Sequence, residues 1–356
     1  MTKRNPDNER VKLRYIEFLR GADGKSDQTI RQVEKALLRY EEVTGFADFK
    51  TFDQQRATDF KDRLANSGLA LPTVHATLKA LQRFLGWLAT QEGFKRSIRK
   101  ADIAYLNLSD KDNRAAQAPA DKAYPSLRMI ERVVETMPNE TPIEKRDRAL
   151  FAFTAITGIR DGAMISLKLK HFDVEECLVK QDPREVSTKF SKRIDTFLFP
   201  LNFTFEPLVL DYVRFLREDL YFGDHDPLFP KTAMGHDEND CFQPTGLSHL
   251  HWATATPMRK VFKKAFELVG LDPFTPHRFR DMIVSEMYAR KLSVPEFKAW
   301  SQNLGHEGAM TSLTSYGRLS LEEQRQLVRK NPDPSSMERP ATLSDVEALL
   351  RKKGLL

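Results

Sequence analysis

Between residues 107 and 126 the chain loses every apolar period. The stretch NLSDKDNRAAQAPADKAYPS is polar, with alanine and proline interspersed, and offers no stripe that a helix or strand could bury. A chain of 356 residues is already too long for one typical core. The break therefore predicts two domains joined by a linker over 107–126, each with its own core.

On the N-terminal side the apolar spacing is helical throughout. SDQTIRQVEKALLRYEEVTG puts Ile30, Val33, Leu37 and Tyr40 on one face, with Ser26 or Asp27 as cap and Gly45 as stop. In LPTVHATLKALQRFLGWLATQEG, Pro72 opens a helix, Gly93 closes it, and Val74, Leu78, Leu81, Leu85 and Leu88 form the buried stripe. No strand-like alternation occurs, so residues 1–106 are expected to be a small all-helical domain. Lys95, Arg96, Arg99 and Lys100 follow closely on the second helix. Such a cluster is either a solvated basic surface or a set of phosphate contacts.

The C-terminal side, from 127 to 335, mixes periods. TPIEKRDRALFAFTAITG carries full helix signals: Thr141 caps, Pro142 takes the first turn, Glu144 completes a capping box and Gly158 ends it. Leu150, Phe153 and Ile156 are expected to face inward. Over 178–200 the pattern changes. REVSTKFSKRIDTFLFP has β-branched and aromatic residues on both sides of a polar centre, predicting a β-hairpin with FSKR at its basic tip. Helices resume after Phe205. PMRKVFKKAFELVG exposes Arg259, Lys260, Lys263 and Lys264, and SVPEFKAWSQNLGH opens on a Ser293–Glu296 capping box. The last stretch, 336–356, is expected to be a separate short helix capped by Ser344 and Glu347, which must dock on its own domain or on a neighbour. The fold class predicted is mainly α (α+β), with a small antiparallel sheet or hairpin in the second domain.

A net charge of +6 biases the chain towards a polyanionic partner. Two cysteines, Cys177 and Cys241, cannot build a disulfide framework and read as buried thiols in a reducing compartment. There is no apolar signal core and no run of about 18 apolar residues, so a cytoplasmic, nucleoid-associated protein without membrane partners is expected.

Four dispersed pieces carry chemistry. TGIRDG, residues 157–162, presents Arg160 at a helix-ending turn. The hairpin tip presents Lys189 and Lys192. TPHRFRD, residues 275–281, sets His277 and Arg280 three apart on one helix face. LGHEGAMTSLTSYGR, residues 304–318, holds His306 and Tyr316. Each alone is weak: arginines at helix ends are usually structural, and basic hairpin tips are usually solvated. Together they supply what phosphoryl transfer at a DNA phosphodiester needs without a metal. Two guanidiniums neutralise charge on the non-bridging oxygens, a phenol attacks phosphorus, and a lysine or histidine protonates the departing 5′-oxygen.

In this order, the residues resemble the tyrosine recombinase (phage integrase) family. The motifs cover roughly residues 127–330, and the N-terminal domain matches by position and size. The resemblance implies that Arg160 and Arg280 clamp the scissile phosphate, Lys189 is the general acid, His277 assists as acid or base, and His306 hydrogen-bonds the phosphate. Tyr316 is then the nucleophile that forms a 3′-phosphotyrosyl link. It implies no cofactor and no metal. The implied partner is duplex DNA at recombination sites, clamped by the two domains, with a monomer in solution, a tetramer on DNA and accessory DNA-bending proteins. Lys95, Arg96, Arg99, Lys100, Lys192, Arg193, Arg259, Lys260, Lys263 and Lys264 are the expected phosphate contacts. The tail helix is expected on a neighbouring protomer.

Two positions depart from the family pattern. Ala163 stands where an acidic residue is usual, with Asp161 nearby. The tip reads Lys189-Phe190-Ser191-Lys192 instead of Lys-Thr-Gly, leaving Lys192 as the alternative general acid. A catalytically lapsed DNA-binding relative and a type IB topoisomerase remain as other readings. His249 and His251, with Cys241 and Asp224-His225-Asp226, match no zinc spacing and read as loop histidines, with Trp252 and Phe242 as packing.

Overall fold

The computed structural model describes residues 4–118, 123–236, 240–290 and 292–306. The chain divides into two compact units at residues 120/121. In the first, the described residues form six α-helices: α1 (Pro6–Gly21), α2 (Asp27–Val43), α3 (Gln54–Ala65), α4 (Leu71–Leu88), α5 (Lys100–Ile103) and α6 (Asp110–Gln117). Local signals open the longer ones. Asn5, Ser26 and Asp53 side chains accept from first-turn N–H groups of α1, α2 and α3, and Pro72 sits in the first turn of α4. Their inner faces meet in a core of Tyr15, Leu37, Tyr40, Phe49, Phe60, Leu81 and Phe84. There Phe49 and Phe84 pack edge to face at 4.9 Å between centroids. α4 stops at Leu88, before Gly93 is reached.

The expected linker is partly helical. Ser109 caps α6 by accepting from Asp112 N at 3.1 Å. Within α6 only Ala116 is buried, so the helix has no apolar stripe by which a sequence could announce it.

In the second unit the order is α7 (Leu127–Thr136), α8 (Pro142–Thr157), α9 (Asp161–Met164), β1 (Phe172–Asp173), β2 (Leu178–Gln181), β3 (Ile194–Phe197) and α10 (Phe205–Glu218). Then come β4 (Thr232–His236), β5 (Phe242–Leu247), α11 (Thr256–Leu268), α12 (Arg278–Ala289) and α13 (Val294–Asn303). Strands β1, β2 and β3 form an antiparallel sheet in that order, and β4 pairs with β5. The mainly helical class with small antiparallel sheets is thus what the chain adopts. α8 lies at the centre. Beyond the inward face expected for it, the whole stretch Ala149–Thr157 is buried, which a helix tolerates when it is apolar nearly all round. Phe151 packs on Phe262 of α11 and Phe279 of α12, with ring centroids 5.0 and 5.1 Å apart. Truncating such a ring costs about 3–5 kcal/mol.

Two β features differ from expectation. The hairpin does not pair REVST with IDTF. β2 is LVKQ, its Gln181 faces Ile194, and residues 182–193 form a long connection. Pro183 has no N–H for a ladder, and side chains pin this arm elsewhere, as described below. The β4–β5 hairpin was not signalled, because Gly235, Pro244 and Gly246 interrupt any alternation. Among the described residues no helix is long and apolar enough to cross a membrane.

Candidate active site

α8 ends on Gly158, whose φ is +59°. A Cβ there would meet Ile283 Cδ1 at 2.9 Å, Leu304 Cδ2 at 3.0 Å and Arg280 Cγ at 3.3 Å. Both the conformation and the crowding require glycine. The tight turn brings the backbone against α12 and launches Arg160, half-buried, at the start of α9.

Arg280 on α12 is 2% exposed. Its Nη1 donates to Gly158 O at 2.5 Å, and its Nη2 donates to Leu304 O at 2.6 Å. Nη2 also lies 3.1 Å from His306 Nε2. Arginine only donates, so Nε2 is the acceptor and the neutral ring carries its proton on Nδ1. One guanidinium thus ties the end of α8 to the residues after α13. A cavity beside it is lined by Arg160, Arg280, Gln181, Ile194, Thr196 and Leu304.

Four of the six residues expected to react come together here. The ring of His306 is buried and its pKa falls to about 4, through desolvation first and then the charges of Arg280, Arg160 and His277. His277 stands at the N-cap position of α12 and reaches solvent, yet partial desolvation and then Arg280, Arg278 and Arg160 bring it to about 4 as well. Asp161 pulls it the other way. At neutral pH the cluster therefore holds two cations and two neutral imidazoles. That charge suits a bound dianionic or more highly charged oxygen centre.

Polar bonds behind the cluster tie the sheet to α13. Buried Gln181 donates to Thr196 Oγ1 at 3.0 Å, and Thr196 donates to Asn303 O at 3.0 Å. Asn303 closes on β3: its Oδ1 accepts from Phe197 N at 2.7 Å and its Nδ2 donates to Phe197 O at 2.9 Å. Gly305, at φ +71°, follows directly, and a Cβ there would lie 2.7 Å from Ile194 Cδ1. None of Gln181, Thr196 and Asn303 was singled out in the sequence. The one hint is that Asn303 directly precedes LGH.

The connection 182–193 has a pinned arm and an exposed tip. Glu185 takes Lys168 and Lys170 at 2.9 Å each, with His171 Nε2 at 3.6 Å. Those two lysines hold its carboxyl well below the usual range. Ser187 N donates to Ser166 Oγ at 2.9 Å, and Val186 is buried. Beyond this arm, Phe190 and Ser191 both have positive φ, +62° and +51°. For residues other than glycine each costs on the order of 1–3 kcal/mol. Lys189 is exposed at this tip. Its Nζ lies 4.9 Å from the Phe190 ring centroid, and that of Lys192 lies 5.6 Å away.

The usual acidic position is filled by Ala163, which is buried at 2% exposure. Asp161 instead binds Arg259, with Oδ2 at 2.7 Å from Nε and 2.6 Å from Nη2. Arg259 was expected on DNA phosphates and is here engaged by a carboxylate of its own chain. Lys260, Lys263 and Lys264 share its exposed face, with Lys263 3.6 Å from Glu267. In the first unit Lys95, Arg96, Arg99 and Lys100 are exposed, and Arg99 pairs with Asp102 at 2.9 Å. Arg193 lies 3.4 Å from Asp195. His249 stacks on Phe222 and pairs with Asp226 at 3.0 Å, and His251 Nδ1 lies 2.9 Å from Ile165 O. Trp252 is packed as expected, but Phe242 is 65% exposed. Tyr316, Arg318 and the tail 336–356 lie outside the described residues.

Residues 128–320 match the family model described as the phage integrase family. Two tyrosine recombinases XerC of Escherichia coli O157:H7, one from strain EC4115, are each 25% identical over 175 residues, covering 49% of this chain and 55% of theirs. The match thus spans about half the length of these curated relatives. Among solved structures, the Tn1549 transposon integrase in complex with transposon right end DNA superposes with a TM-score of 0.58 at 14% identity, covering 89% of this chain and 98% of that one. A lambda integrase dimer bound to a COC′ core site gives 0.58 at 14% identity, over 88% and 97%. These structural likenesses establish the shared fold.

Proposed function

Because the chain belongs to the phage integrase family, we propose that it is a site-specific DNA recombinase that cuts and rejoins duplex DNA through a 3′-phosphotyrosyl intermediate. The observation that carries the reading is the convergence of Arg160, His277, Arg280 and His306, with both imidazoles neutral. In the proposed reaction the Tyr316 hydroxyl attacks the scissile phosphorus. Its proton passes to neutral His277, acting as a base. The phosphorus–O5′ bond breaks as the phosphorus–tyrosine bond forms, and the departing 5′-oxygen takes a proton from Lys189. One phosphodiester is exchanged for another, so attack by a 5′-hydroxyl reverses the step. Arg160 and Arg280 neutralise the charge building on the non-bridging oxygens. The Nδ1–H of His306 donates to the same phosphate. With charge supplied by guanidiniums, the reading calls for no metal.

Recombination joins two duplexes, which calls for four copies on DNA, monomers before binding, and accessory DNA-bending proteins at some sites. The first unit is read as the helical core-binding domain and the second as the catalytic domain, both offering cations to phosphates. The tail 336–356 is assigned to a neighbouring protomer. The test uses a nicked suicide duplex of the cognate site. The wild type should form a protein–DNA adduct that survives denaturation, and Tyr316→Phe should form none. Arg160→Ala should lose orders of magnitude in cleavage rate while largely keeping site binding. A wild type that binds its site and never forms the adduct fits a lapsed DNA-binding relative and overturns the proposal.

A further inference from the structure

Phe190 is 77% exposed and sits at the tip of the 182–193 connection. Both arms of that connection are held. Glu185 and Ser187 fix the outgoing arm to Lys168, Lys170 and Ser166. The returning arm enters β3, which pairs with β2 and is clasped by Asn303. The tip is therefore presented from a fixed base, and its ring is not folded away into the protein. Phe190 and its neighbour Ser191 both occupy the left-handed region, which glycine or asparagine would occupy at less cost. Left mostly in solvent, the ring buries little apolar area, and its exposed contacts with the neighbouring ammonium groups offset only part of that cost. The ammonium groups of Lys189 and Lys192 lie within 6 Å of its centroid, at 4.9 and 5.6 Å. A surface that satisfies this tip must offer anions and flat apolar faces side by side. Nucleic acid does so, with phosphates beside sugar and base faces.

We propose that Phe190 is a DNA wedge: its ring enters the duplex next to the scissile phosphate and packs on a deoxyribose or base, partly unstacking that step. Delivery of the ring and of Lys189 is then one event, because the two residues share one fixed tip. The wedge deepens the recombinase reading and rests on it for its location beside the cut.

The test places 2-aminopurine at each position flanking the nick of the suicide duplex. Wild-type protein should raise its fluorescence at one or two positions. Phe190→Ala and Phe190→Gly should abolish the rise and slow adduct formation about tenfold or more. Site binding should weaken by less than about fivefold. Phe190→Trp should keep the rise, and its emission should be quenched by the duplex in excess of the wild-type change. Phe190→Gly also relieves the backbone, so it should melt no lower than wild type; slower cleavage by a chain at least as stable then cannot be ascribed to misfolding. The wedge is overturned if Phe190→Gly cleaves at the wild-type rate with the fluorescence rise intact. It is equally overturned if the Phe190→Trp emission answers to anionic phosphatidylglycerol vesicles and not to duplex DNA. A fluorescence rise that depends on Phe190 in a protein forming no adduct would keep the wedge and remove the recombinase reading. An adduct formed with a rise indifferent to Phe190 would do the reverse.

Discussion

The side-chain amide of Asn303 clasps the backbone of Phe197 at both ends, accepting from its N–H at 2.7 Å and donating to its carbonyl at 2.9 Å. The clasp joins the last residue of α13 to the strand that leaves the lysine-bearing connection, three residues before His306 in the chain. Asn303→Ala should cost about 0.5–1.5 kcal/mol, since it removes two hydrogen bonds at an exposed edge where water can take the amide's place. Cleavage should slow beyond the loss of folded protein, while site binding is kept. Asn303→Asp keeps the acceptor for Phe197 N and loses the donor, so it should fall between. Urea denaturation and single-turnover adduct formation measure the two effects, and a cleavage rate unchanged per folded molecule would reduce Asn303 to a structural role.

The neutral histidines give a pH signature. His306 sits at about 4, below its ordinary value near 6.5. Its folded pKa is the lower one, so between those values the unfolded chain holds more protons. The stability it contributes is complete above about pH 6.5 and drains away as pH falls towards 4. Free enzyme should therefore show no inflection in kcat/KM near pH 6.5 from this ring. His306 Cε1 resonances followed by NMR should stay at neutral-form shifts at pH 5.5. His277 moves in the same direction but reaches solvent, so His306 is the sharper case. A titration of His306 centred near 6.5 would contradict the burial and charge argument.

What could be read in the sequence was local. The capping boxes Thr141–Glu144 and Ser293–Glu296 involve residues three apart, and both are present in the structure. So are the helix end at Gly158 and the placing of His277 and Arg280 at the start of α12. The rest depends on pairs far apart in the chain. Nothing near Arg259 announces that Asp161 holds it, and nothing in REVST announces that Glu185 turns to Lys168 and Lys170. Those contacts redirect a stretch with good strand composition away from pairing. The β4–β5 hairpin and α6 lacked the apolar periods by which such elements are recognised.

The Asp161–Arg259 pair separates two roles for the α11 cations. Lys260→Ala, Lys263→Ala and Lys264→Ala should weaken duplex binding across sequences, each lowering the salt slope of binding by about 1. Arg259→Ala should change the salt slope less and the cleavage rate more, since it releases the carboxylate beside Arg160. A double-mutant cycle between Asp161→Ala and Arg259→Ala should give a coupling of about 1 kcal/mol in stability, as the pair is partly exposed. Fluorescence anisotropy against salt and the same adduct assay provide both readings. Equal salt slopes for Arg259→Ala and Lys260→Ala would return Arg259 to the phosphate contacts.

Gly305 has no room for a side chain. A Cβ would sit 2.7 Å from Ile194 Cδ1 and 3.2 Å from both its Cγ atoms, and φ is +71°. Gly305→Ala combines a clash with backbone strain and should destabilise the second unit by about 2–4 kcal/mol. The displacement falls next to His306, so cleavage should drop further than stability does. Ile194→Val removes the closest atom and by itself costs about 0.5–1.5 kcal/mol. In the double variant the two losses should be less than additive, because the valine relieves the clash, yet the strain at φ +71° remains and recovery stays partial. Denaturation of the four chains of the cycle measures the coupling. Strict additivity would mean that β3 and the turn after α13 are not in the contact that positions His306.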